Sequence, residues 1–129
     1  MKIYKLKKGD DLIRSLEEFV LDKPSGLLVG LGALESVIIK IFDHENKEYS
    51  EKAFDGPLEL CSFTAVVSIN PDGKMGIHPH AVFSDKNFNA YGGHLSSAIV
   101  GPTFEFVFFN SKNEARRYFD KEIGLNLIK

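Results

Sequence analysis

The chain has 129 residues, a hydrophobic fraction of 43%, a charged fraction of 26% and a net charge of −2. That balance describes one soluble globular domain, residues 1–129, long enough to bury a core. An isoelectric point near 6.1 lies well below the basic balance of an autonomous DNA-binding domain, and no run approaches the ~18 apolar residues of a membrane span.

Lys2–Leu6 alternates lysine with apolar residues and reads as a half-solvated first strand. Because Met1–Asp10 lacks an apolar block, no signal peptide is expected. The single Cys61 fits a reducing compartment, so the expected location is the cytoplasm. Gly9-Asp10 punctuates the strand, with Asp10 as N-cap. Leu12, Ile13, Leu16, Phe19 and Val20 then recur at helical spacing over Asp11–Leu21. Lys23-Pro24-Ser25-Gly26 ends that helix.

Gly26–Leu34 suits a buried strand, with Gly30 and Gly32 as bulges or tight packing points. A phosphate-loop reading lacks both a third glycine in register and Gly-Lys-Ser/Thr. Glu35-Ser36 is read as a turn into the strand Val37–Phe42. Asp43–Asn46 is a polar turn containing a solvated His44, and a strand around Lys47–Phe54 follows. After the Asp55-Gly56-Pro57 turn comes Leu58–Ile69, the longest strand candidate. It places Glu59, Cys61, Phe63, Ala65 and Val67 on one face, and Cys61 is read as a small buried hydrophobe. Asn70-Pro71-Asp72-Gly73 signals a hairpin.

Thr103–Phe109 is a phenylalanine-rich strand, central or at an interface. Ser111-Lys112-Asn113-Glu114 reads as a capping box opening a second helix through Glu122, with Gly124 as its stop. Leu125–Ile128 would add an edge strand.

Chemistry concentrates between Ile77 and Leu95, which holds three of the four histidines. Residues two apart in a strand point to the same face, so His78 and His80 would stand roughly 6–7 Å apart at Cα. Asp85-Lys86-Asn87 are turn formers. A hairpin about Lys86 or Asn87 brings position 93 or 94 opposite position 80, which would carry His94 to the pair. Gly92-Gly93 permits close backbone approach just before it. Three neutral imidazoles suit Zn2+ or a similar divalent metal and leave a fourth position open for water or a ligand. The bland alternative is a polar groove in which His78 and His80 hydrogen-bond to neighbours. Glu59, at the head of its strand face, and Asp85 are candidates for a supporting carboxylate or general base. Ser96 and Ser97 have no nucleophile-elbow signature, and the catalytic residues, if any, are not identified.

Gly56-Pro57-Leu58-Glu59-Leu60-Cys61-Ser62-Phe63, His78-Pro79-His80 and Gly92-Gly93-His94-Leu95 together resemble the plants-and-prokaryotes (PPC) domain, best known from plant AT-hook nuclear proteins. The resemblance covers nearly the whole chain. It implies an α/β fold of α+β type: a mainly antiparallel, strongly curved sheet of about six to eight strands with two or more packed helices. It further implies a homotrimer, and a gathering of His78, His80 and His94 that holds a metal ion in some prokaryotic members. The family is commonly called DNA-binding, yet this chain lacks the Arg-Gly-Arg-Pro hook and carries Pro57 where arginine is usual. Two functions are therefore expected to compete. One is a DNA-binding or regulatory homotrimer with a three-histidine metal site. The other is a metal-dependent enzyme or small-molecule-binding protein using that open site.

Overall fold

A computed structural model describes all 129 residues. Seven strands and one helix follow in the order β1 (Tyr4–Lys7), α1 (Leu12–Val20), β2 (Gly26–Asp43), β3 (Glu48–Ile69), β4 (Met75–Ser84), β5 (Ala90–Asn110), β6 (Arg117–Asp120) and β7 (Leu125–Ile128). All the strand pairings between these elements are antiparallel. The main sheet runs β1-β5-β2-β3-β4, and β4 also pairs with the start of β5. The pairings β2–β3–β4–β5 therefore close into a ring, which requires strong curvature.

Bulges supply that curvature. Register slips occur between Gly30 and Gly32, between Leu34 and Ser36, and between Leu60 and Ser62. At Gly32 a Cβ would lie 2.2 Å from the carbonyl oxygen of Thr103, so no side chain fits between β2 and β5 there. Glu35-Ser36, expected as a turn, is one of these bulges inside a continuous β2. The slip near Cys61 also reverses the facing of β3. Leu58 and Leu60 are buried, then Phe63, Ala65 and Val67, whereas Cys61 is exposed. The expectation of a buried cysteine fails because the bulge consumes one residue of the alternation.

The core lies between the inner sheet face and α1. Asp11, one residue later than expected, caps the helix by accepting from the N–H of Arg14 at 3.1 Å. Leu12, Leu16 and Val20 are fully buried, as are Phe63, Phe83 and Phe104. Phe63 and Phe104 meet edge to face with centroids 5.2 Å apart, a favoured aromatic geometry.

The expected second helix is absent; the segment instead forms the β6–β7 hairpin. Ser111 Oγ accepts from the N–H of Asn113 at 3.2 Å, a local turn rather than a helix cap. Asp120 Oδ1 accepts from the N–H groups of Glu122 and Ile123, each at 3.0 Å. Gly124, with φ +84, completes that turn. Ser25 ties the segment to the sheet, its Oγ accepting from the N–H of Ala115 at 2.9 Å. Apolar alternation in two short strands thus prevails over the capping signal. No helix is long and apolar enough to cross a membrane.

Candidate metal centre

The β4–β5 hairpin folds about Asn87, so that His80 is paired with His94. Asp85 fixes the turn: its Oδ1 accepts from the N–H groups of Asn87 and Asn89 at 2.9 and 3.0 Å. Burial pushes the Asp85 carboxyl upward, but these backbone bonds, with the side chains of Asn89 and Tyr91, outweigh it and leave its pKa lowered. His78 lies two residues before His80 on the same outward face. Cross-strand rows extend this face: His80 neighbours Thr64 and then Val29, while His78 neighbours Val66 and then Leu27.

The three imidazoles converge. One ligand atom from each of His78, His80 and His94 lies within 4.8 Å of the others. The Nε2 atoms of His78 and His80 are 3.1 Å apart, and ring centroids are separated by 5.0 to 5.7 Å. Ligands about 2.0–2.1 Å from a tetrahedral zinc stand roughly 3.3–3.4 Å apart, a spacing that the Nε2 atoms of His78 and His80 already approach. His94 Nδ1 is buried without a hydrogen-bond partner, and a buried polar atom normally has one. Burial pushes His94 down to about 4, with His78, His80 and Lys40 adding to the effect. Burial, then Arg117 and His80, also lowers His78. Both rings are accordingly held neutral near pH 7, the form that ligates metal.

The remaining candidates fall elsewhere. Glu59 is exposed and pairs with Ser84, four residues or roughly 13 Å along β4 from His80. Asp85 is occupied by its own loop. Neither lines the pocket over the histidines. That pocket, of about 580 Å3, is walled by the β2–β3 tip through Lys40, Phe42, His44 and Tyr49, and by Leu125 of β7. An adjoining cavity of about 310 Å3 shares Tyr49, His78, His94 and Leu125 and adds Arg117 and Asn126. Lys40, Tyr49 and Arg117 are among the lining residues that spacing within the histidine stretch does not reach. Lys40 had a signal, since it alternates with the apolar Val37, Ile39 and Ile41, but its partner across the ladder, His94, belongs to a distant segment.

A curved antiparallel β-sheet, closed on itself and carrying a three-histidine pocket on its outer face, defines the class of this protein. Residues 2–111 match the model of the Plants and Prokaryotes Conserved (PCC) domain, and the chain belongs to that family. Several solved structures share the fold. A metal-containing protein from Archaeoglobus fulgidus is 36% identical with a TM-score of 0.89, covering 99% of this chain and 91% of its own. A plant- and prokaryote-conserved protein from Pyrococcus horikoshii is 25% identical with a TM-score of 0.89, at 99% and 90% coverage. A Ralstonia eutropha protein named "putative DNA-binding protein" is 27% identical with a TM-score of 0.88, at 98% and 89% coverage. No curated protein matches the chain.

Proposed function

We propose that this protein is a cytoplasmic, metal-dependent small-molecule-binding protein or enzyme. His78, His80 and His94 would hold Zn2+ or a similar divalent ion. The observation that carries this reading is the convergence of three imidazoles in the wall of one pocket, with His94 Nδ1 left without a partner. A bound ion of this kind supplies Lewis acidity and lowers the pKa of a coordinated water. The chain's own contribution is to hold His78 and His94 neutral, to wall the cluster with the β2–β3 tip and β7, and to leave one side open. The metal-containing relative from Archaeoglobus fulgidus supports the reading.

Elemental analysis of protein purified without added metal tests it. About one equivalent of divalent metal per chain is expected, falling to near zero in His94→Ala and in His80→Ala. Absence of stoichiometric metal from the wild type, together with no uptake on titration with Zn2+, would falsify it.

The second reading is a DNA-binding or regulatory role, favoured by the name of the Ralstonia eutropha relative. A net charge of −2 opposes it, since phosphate contacts dominate such binding. A duplex titration at low salt decides: nanomolar affinity with a steep salt slope would establish DNA binding, and a shallow slope in the weak non-specific range would remove it.

Either activity fits a homotrimer. Leu27, Val29, Leu31 and Phe109 are 36%, 37%, 55% and 46% exposed and form a contiguous outer patch, because Leu27 pairs with Phe109 on one side and Val66 on the other. Such a patch supports that assembly as its association surface. Of the Thr103–Phe109 strand, Val107 and Phe109 add apolar surface to it and Glu105 borders it beside Leu31, while Phe104 and Phe106 are buried in the core.

A further inference from the structure

The two cavities that meet over His78 and His94 contain no acidic residue in their walls, yet Lys40 enters from one side and Arg117 from the other. Lys40 is already matched, its Nζ lying 4.0 Å from Glu51 Oε1 and over the ring of Tyr49. Arg117 is not. Its Nε donates to Ser68 Oγ at 2.9 Å and its Nη1 to the backbone oxygen of Asn126 at 3.1 Å. Both acceptors are neutral, and Arg117 belongs to none of the ion pairs. A partly buried guanidinium normally faces a carboxylate or phosphate, because desolvating an unmatched charge is costly. Loading a divalent ion onto the three imidazoles would add positive charge to the same space. Those neutral acceptors hold the guanidinium in the cavity wall through Nε and Nη1 and leave Nη2 as a donor for an anionic oxygen.

We propose that the pocket binds a small organic carboxylate, held by Arg117 with Lys40 assisting, its body lying against Phe42, Tyr49 and Leu125. The proposal rests on the metal reading for the identity of the site, and it adds the chemical class of the ligand. Those three residues supply the apolar wall that favours an organic acid over inorganic phosphate. Arg117 lies beyond the residues 2–111 matched by the family model, whereas Lys40, Phe42 and Tyr49 lie within them.

The test is calorimetric titration of wild-type protein with benzoate, inorganic phosphate and neutral benzamide, each in Zn2+-loaded and metal-free protein. Benzoate should bind the loaded protein and outcompete phosphate, and benzamide should bind at least tenfold more weakly. Arg117→Gln should keep its metal stoichiometry while benzoate affinity falls about tenfold or more, as expected for losing a charge-assisted pair. Should that variant fail to fold, Arg117→Lys and Lys40→Gln carry the test, each with a severalfold loss. Unchanged benzoate affinity in these variants overturns the proposal, as does equal binding of benzamide or preference for phosphate. If no metal binds but benzoate still requires Arg117, the metal reading fails and the carboxylate subsite stands. If metal binds and benzoate does not, the reverse holds.

Discussion

His80 and His94 oppose each other directly in the β4–β5 ladder, with ring centroids 5.7 Å apart. Their pairing depends on hairpin register alone, since a slip of one residue would turn one ring to the opposite face. The register in turn depends on Asp85, whose carboxylate collects the N–H groups of Asn87 and Asn89.

Asp85→Ala should therefore loosen the site without touching it. Losing these two bonds should lower stability. Zn2+ affinity should fall severalfold while stoichiometry stays at one per chain, as read by calorimetry. Unaltered affinity would mean that the flanking strands alone hold the register.

Gly93 precedes His94 where β5 passes close to β2. A Cβ there would lie 2.9 Å from the Lys40 oxygen and 3.0 Å from Ile41 Cδ1. Gly93→Ala must displace backbone, so it should destabilise the fold by about 1–3 kcal/mol and weaken metal binding with it. Urea unfolding midpoints, measured with and without Zn2+, check both effects.

Stability should depend on pH in a definite direction. His94 is held at about 4, against an ordinary 6.5. Between those values the unfolded chain binds a proton that the folded chain refuses, so stability rises with pH. It should be fully present above pH 6.5 and be lost progressively as pH falls toward 4. His78, also lowered, acts in the same direction. Metal-free protein should unfold at lower urea at pH 5 than at pH 7, and His94→Gln should flatten the difference. A flat profile in the wild type would contradict the buried neutral ring.

The apolar outer patch gives a separable prediction. Leu31→Asp places charge at a position 55% exposed in the isolated chain, so the folded subunit should tolerate it within about 0.5 kcal/mol. A subunit interface would not tolerate it. Sedimentation should show a trimer for the wild type and a smaller species for the variant, with metal content retained in both.

Local signals made much of this legible. Asn70-Pro71-Asp72-Gly73 forms the β3–β4 hairpin, with the Gly73 N–H donating to the Asn70 oxygen at 2.9 Å. The helix over Leu12–Val20 and the meeting of His80 with His94 likewise follow from spacing and turn chemistry, which act over a few residues. The plants-and-prokaryotes resemblance agrees with the family match over residues 2–111. Misreadings fall where a local signal was overruled. Ser111–Glu114 looks like a helix cap, yet Arg117–Asp120 gains more by pairing with Leu125–Ile128 and anchoring through Ser25. Cys61 alternates correctly until the bulge beside it turns it outward.

The histidine stretch by itself determined which imidazoles can meet, because two-residue periodicity and one turn set their geometry. What surrounds them was decided only by tertiary structure. Closure of the sheet sets Lys40 beside His94, and the β6–β7 hairpin brings Arg117 to the cavity that His78 lines. These partners come from segments dozens of residues away, joined by ladder register and bulges whose positions depend on the whole packed sheet. The donors were therefore readable, while the charge of the pocket, and with it the class of ligand proposed here, emerged only from the fold.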